Sequence, residues 1–152
     1  METGNYSRTN GKQLSAMTIE KLERYCAISA EIDAIDEEIQ TLYNPVSSPN
    51  GRENIGQRGN TPSNPTERSA FRIIMLKEKV EAKRESLYEL LDEIETWLGT
   101  LTDTEISAII RWHYLLRLDW KRTNIKVYGY PNYDYSRKKI SRYFQKLSEL
   151  SE

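Results

Sequence analysis

The sequence predicts an all-α fold: a long antiparallel helical hairpin, coiled-coil-like, followed by a C-terminal domain of three short helices. Three observations carry this expectation. Apolar residues recur at steps of three and four in two long segments, Met17–Tyr43 and Pro65–Leu98, which is helical periodicity. The composition, 38% apolar and 30% charged over 152 residues, suits exposed amphipathic helices better than a thick β-sandwich. After Gly99 the apolar spacing shortens into three brief segments. Three Trp and ten Tyr argue against a disordered chain, since disordered chains are poor in aromatics.

Residues 1–16 are polar and Gly/Asn-rich and read as a flexible leader. Thr18 stands where a cap for the first helix is needed. Along that helix Tyr25, Ile28, Ile32, Ile35, Ile39 and Leu42 form a seam, while Glu31, Asp33, Asp36, Glu37 and Glu38 occupy other faces. This is the pattern of a coiled coil. Asn44-Pro45 ends the helix, because proline lacks a backbone donor and biases its predecessor away from α. Segment 44–66 holds four prolines and three glycines, with only Val46 and Ile55 as apolar side chains. That is too little apolar surface to offset the entropy of ordering, so a mobile loop is expected.

A second long helix is expected from near Pro65-Thr66-Glu67 to about Leu98. Thr66 can cap it, and Glu67 suits the positive end of the helix dipole. Ile73, Leu76, Val80, Leu87, Leu90, Leu91, Ile94 and Leu98 form its stripe, interrupted by Lys83 and Arg84, and Gly99 supplies a stop. Two such helices joined by a connector pair most simply antiparallel, making 17–99 one unit. Narrow stripes bury little surface, so a homo-oligomer through the long helices is expected as well.

Residues 100–152 read as the second domain. Leu101–Leu116 is expected as a helix with Asp103 near its start and Ile106, Ile109, Ile110, Trp112, His113 and Leu116 inward. Asp119–Tyr128 is expected as another, with Trp120, Ile125 and Tyr128 in the core. Gly129-Tyr130-Pro131-Asn132-Tyr133 is turn chemistry, and Asp134 stands as the cap of a last helix running to about Leu150. Three short helices with a turn before a basic last one have the sequence form of a helix-turn-helix. The turn is longer than the usual three or four residues.

The net charge of −1 hides a strong asymmetry. Arg111–Lys146 holds ten Lys/Arg against two acids, Asp119 and Asp134, whereas the first 110 residues hold twelve bases against nineteen acids. Such a division points to a polyanion partner at one end. At 100° per residue, Ile140 centres the inward face of the last helix, with Ser136, Phe144 and Leu147 within about 40° and Tyr143 on the flank. The opposite arc collects Tyr135, Lys138, Lys139, Arg142, Gln145 and Lys146. Lysine and arginine attract phosphates, and arginine reads guanine bidentately. Tyr135, Lys138, Lys139 and Arg142, in the N-terminal half, are the expected base contacts. Lys146 and Arg137 complete the set on this helix, and Lys121, Arg122 and Lys126 of the preceding helix would lie over the DNA backbone. The plainer reading is a terminal helix with a solvated basic face.

Other chemistry finds little support. No apolar run approaches the roughly 20 residues of a membrane span, and Met1–Gln13 lacks the apolar stretch of a secretory signal. A reducing cytoplasm is the expected location. The single Cys26 excludes an internal disulfide and a multi-cysteine metal site. His113, the single histidine, lies among apolar positions and reads as a packed, hydrogen-bonded side chain. Trp97 and Trp112 read as hinge and core residues, and the acids Asp36-Glu37-Glu38 and Asp92-Glu93 as helix surface. There is no Gly-rich phosphate loop and no nucleophile motif. A non-enzymatic protein without cofactor or metal is expected.

The stretch Asp103–Phe144 resembles a known family. Asp103, Arg111 and Tyr114, then Trp120, then Asp134 with Arg137-Lys138 and Ser141-Arg142-Tyr143-Phe144 stand in matching register, with a polar Gly/Asn turn before the last group. In this the chain looks like the ArpU/RinA-like group of phage-encoded transcriptional regulators of Gram-positive bacteria, whose C-terminal half is similar to the promoter-binding helix-turn-helix of sigma factors. Pro62, Pro65-Thr66-Glu67-Arg68 resembles the family's linker, so the likeness covers roughly residues 60–147. It departs at Thr123 and Asn124, where such helices carry an apolar residue and Ala. The resemblance implies a sequence-specific, double-stranded DNA-binding transcriptional regulator of phage or prophage genes, acting in the bacterial host cytoplasm, with host RNA polymerase as a candidate partner. Two alternatives stand beside it: a small terminase-like DNA-packaging subunit, and a helical protein-interaction module.

Overall fold

The computed structural model describes residues 16–44 and 65–151. Nearly all of the expected leader, the segment 45–64 and the side chain of Thr66 lie outside the described residues. Among the described residues every regular element is helical: α1 (Ile19–Tyr43), α2 (Pro65–Leu98), α3 (Thr104–Ile110) with a π-helical turn (Arg111–Leu115), α4 (Trp120–Tyr128) and α5 (Tyr135–Leu150). The all-α expectation holds.

Thr18 caps α1 as expected, its hydroxyl accepting the Lys21 N–H at 3.3 Å. The seam faces inward: Ile32, Ile35 and Ile39 cluster with Ile73, Leu76 and Val80 of α2, and Ile28, Leu42 and Leu87 pack against them. Ion pairs run along the rims at Glu38–Arg72 (2.8 Å), Asp36–Arg84 (3.4 Å) and Glu31–Lys83 (2.8 Å), with Lys21–Glu93 beyond them. Rising numbers on α2 meet falling numbers on α1, so the two helices run in opposite directions. Lys83 and Arg84 interrupt the apolar stripe, and their charged ends reach acids on α1. Exposed pairs of this kind contribute about 0–1 kcal/mol each, so the apolar seam dominates.

A second cluster joins the other ends of these helices to the rest of the chain. Met17, Leu22 and Tyr25 meet Ile94 and Leu98 of α2, Ile106, Ile109, Ile110 and Tyr114 of the next segment, and Ile140 and Phe144 of α5. Leu22, Ile94, Ile109 and Ile110 are wholly excluded from solvent. One apolar core therefore crosses the position between residues 99 and 100.

Asp103 caps α3, accepting the N–H groups of Glu105 (3.0 Å) and Ile106 (3.2 Å). Beyond Ile110 the winding widens, with the Leu116 N–H donating to the Arg111 carbonyl (2.9 Å) and the Leu118 N–H to that of Trp112 (3.0 Å). Arg117 then takes a left-handed φ of 56°. The extra residue in the turn moves the inward position, so Tyr114 enters the core while Leu116, expected inward, is 59% exposed.

In α4 the expected core residue Ile125 is 42% exposed, and Thr123 and Asn124 are fully buried instead. The buried face is spaced three and four residues from Trp120 and Val127, and its polar groups are satisfied. The Asn124 amide donates to the Tyr130 carbonyl at 2.9 Å and its oxygen accepts the Ser136 hydroxyl at 2.7 Å. The Thr123 hydroxyl donates to the Leu118 carbonyl at 3.4 Å. Gly129 closes α4 at φ 84°, a left-handed conformation that disfavours any side chain. The cap of α5 also differs from expectation. Asp134 occupies the N-cap position, but Asn132 Oδ1 accepts the N–H groups of Asp134 (2.8 Å) and Tyr135 (2.9 Å). The Asp134 carboxylate pairs with Arg137.

The buried Asn124 thus fixes both the turn and the start of α5. Asn124→Ala strands the Ser136 hydroxyl and the Tyr130 carbonyl, and is expected to cost about 2–3 kcal/mol. Denaturant titration with far-ultraviolet circular dichroism measures this; a loss under about 0.5 kcal/mol would contradict the network.

Candidate nucleic-acid interface

α5 buries Ser136, Ile140 and Phe144, and Phe144 stacks on Trp97 of α2 at 5.6 Å between ring centroids. This anchoring decides which side of the helix faces outward. Tyr135, Lys138, Lys139, Arg142, Tyr143 and Lys146 line one side of a groove of about 410 Å³, closed on the other side by Asp103 and Ile106. Five of the six expected arc residues therefore share this groove. Gln145 is exposed outside it.

The cations divide by partner. Lys138, Arg142 and Lys146 make no ion pair with any described residue, and their side chains stand exposed. Lys139 is half-buried and donates to Glu105 of α3. The Tyr128 hydroxyl donates to the same carboxylate oxygen at 3.0 Å, and the Lys139 ammonium lies 5.8 Å from the Tyr128 ring. Tyr135 meets Tyr128 edge-on at 4.9 Å. Glu105, Tyr128, Tyr135 and Lys139 therefore tie α3, α4 and α5 together. The Lys139 hydrogen bond, then that of Tyr128, holds the Glu105 carboxyl below its ordinary value. The same contact holds the Lys139 ammonium above its own. Burial, then the bond to Glu105, pushes the Tyr128 hydroxyl up.

Arg137 lies on the other flank and pairs with Asp134 at 2.8 Å. On α4, Arg122 approaches Asp119 at 3.9 Å, Lys121 lies 5.7 Å from the Tyr133 ring and Lys126 lies 5.1 Å from the Trp112 ring. These three are exposed, and the two lysines are held over aromatic faces that leave their charge unneutralised.

Sequence reasoning missed Glu105, Asp103 and Tyr128 as neighbours of the basic face, whereas it had Tyr143 on the flank of the last helix. Glu105 and Lys139 are 34 residues apart, and no periodicity joins residues on different helices. The remaining candidates fit structural roles. His113 Nδ1 donates to the Leu118 carbonyl at 2.7 Å and its ring stacks on Trp120 at 3.5 Å. Burial lowers its pKa, which favours the neutral ring. Cys26 donates to the Tyr114 carbonyl at 3.0 Å, and burial raises its thiol pKa. Among the described residues no three His, Cys, Asp or Glu side chains gather to hold a metal ion, and no helix is long and apolar enough to cross a membrane.

No protein-family model, curated protein or solved structure matches this chain.

The Glu105 contact sets a pH dependence whose sign follows from its lowered pKa. A carboxyl held below 4.5 in the folded chain stabilises the fold above that value, and this contribution disappears as pH falls through the folded-state pKa. Wild type should therefore exceed Glu105→Gln in denaturant midpoint at neutral pH, with the difference closing below pH 4.5. A difference that stays constant into acid would refute the contact.

Proposed function

We propose that this chain is a sequence-specific, double-stranded DNA-binding transcriptional regulator of phage or prophage genes. In this reading residues 17–99 form a helical hairpin and residues 100–152 a helix-turn-helix domain, with α5 in the major groove. The supporting observation is the trio Lys138, Arg142 and Lys146, exposed on one face beside Tyr135 with no carboxylate partner among the described residues. A cation already paired must break that pair to neutralise a phosphate, whereas an unpaired one releases counterions from DNA directly. Arg142 and Tyr135 supply base-reading and stacking chemistry at the same face.

The ion pairs refine the roles within the set. Lys138, Arg142 and Lys146 are the primary contacts, with Tyr135 beside them. Lys139 and Arg137, held by Glu105 and Asp134, orient α5 and contribute less charge to the DNA. Lys121, Arg122 and Lys126 of α4 are the flanking phosphate contacts. The phage setting, the host cytoplasm and a contact with host RNA polymerase rest on the resemblance of Asp103–Phe144 alone.

Selection from a random duplex library, followed by fluorescence anisotropy on the selected site, tests the reading. If six phosphates are neutralised, the log–log salt slope is about −5. Lys138→Ala/Arg142→Ala/Lys146→Ala should shallow that slope by about 3 and lower affinity at least roughly a hundredfold, with an unchanged melting temperature. Failure to enrich any sequence, or equal binding by the triple variant, would sink the proposal.

A further inference from the structure

The turn between α4 and α5 is held along its length. Gly129 enters it at φ 84°, its N–H donating to the Ile125 carbonyl at 2.9 Å, and Pro131 fixes its own φ. The Asn124 amide holds the Tyr130 carbonyl at 2.9 Å, and Asn132 Oδ1 accepts the N–H groups of Asp134 and Tyr135. From this fixed backbone Tyr133 stands 64% exposed, more than any other described tyrosine. Its hydroxyl makes no hydrogen bond with a described residue. Its ring has the Lys121 ammonium 5.7 Å from the centroid. The core gains little from this side chain, so a rigid turn presents an aromatic hydroxyl that folding does not use.

The charge beside it is equally unspent. Lys121 is exposed and in no ion pair with a described residue. The two acids nearest in sequence carry their own arginines, Asp134 with Arg137 at 2.8 Å and Asp119 with Arg122 at 3.9 Å. A ring face attracts an ammonium through its quadrupole and leaves the charge intact. With that face taken, the donor Tyr133 still offers is its hydroxyl. Two donors held on one ring can reach the two free oxygens of a single phosphodiester. Tyr135, two residues on, already lines the groove of Lys138, Arg142 and Lys146, so the pair adjoins the basic face of α5.

We propose that Lys121 and Tyr133 together grip one phosphate of duplex DNA beside the stretch that α5 reads, the hydroxyl donating to one oxygen and the ammonium to the other. This deepens the function proposed above and rests on it. Phosphate contacts from lysine and tyrosine fix the register of a protein on a duplex without reading its sequence. The pair therefore sets where α5 enters the groove, not which bases it prefers.

Fluorescence anisotropy of the full chain on the selected duplex tests this. Tyr133→Phe keeps the ring under Lys121 and removes only the hydroxyl. It should weaken binding roughly tenfold, with an unchanged melting temperature and salt slope, because a neutral group releases no counterion. Lys121→Ala should weaken binding by a similar factor and shallow the log–log slope by about 1. The double variant should lose less than the product of the two, since both groups serve one phosphate. Ethylation of single phosphates should reveal one position that matters to wild type and not to the double variant. Equal binding by Tyr133→Phe overturns the proposal; if Tyr133→Leu is then weak, the ring stacks on a base instead. Losses that multiply, or no shared phosphate, overturn it too. All of these results leave the functional reading standing, whereas a wild type that enriches no duplex sinks both.

Discussion

The burial of Ile94 and Leu98 against Ile106, Ile109, Ile110, Ile140 and Phe144 is the constraint on which the orientation of the basic helix depends. Two long helices with narrow stripes bury little surface between them, and three short helices of seven to sixteen residues are marginal alone. A shared core relieves both problems. It also removes freedom at the site: with Ile140 and Phe144 inward and Phe144 stacked on Trp97, α5 can present only the arc of Tyr135, Lys138, Arg142 and Lys146.

Polar interactions then set the finer angles. The buried pair of bonds from Asn124 to Tyr130 and Ser136 joins α4, the turn and α5 at one point. Glu105 adds a second tie, drawing Lys139 and Tyr128 to the start of α3. The two differ in kind. The Asn124 side chain and its bond to Ser136 are shielded from water, where an unmade bond is costly, whereas Glu105 is solvent-exposed and screened. The first specifies geometry and the second tunes it, at the expense of one cation's availability to a polyanion.

The same division of faces governs the long helices. On α2 the stripe from Ile73 to Val80 serves α1, leaving Phe71, Ile74 and Met75 to the other side. A helix apolar on two sides has more surface to bury than one partner covers.

Much of this was legible in the residues. The seam Tyr25–Leu42, the cap at Thr18, the stop before Gly99, and the inward Ile140 and Phe144 follow from period and local chemistry, because helical winding alone decides which residues share a face. Three features were not legible. Leu116 gave way to Tyr114 through a π-helical turn, Ile125 gave way to Thr123 and Asn124, and Asn132 took the capping role expected of Asp134. Each depends on a neighbour distant along the chain or on a backbone winding that no side-chain pattern announces. Asn124 looks like a surface residue until Ser136 and the Tyr130 carbonyl are brought to it. The sequence by itself determined an all-α chain with a basic last helix and the arc that helix would expose. Only the tertiary structure decided which of those cations stay unpaired, because pairing is a matter of which acids other helices carry to within a few ångströms.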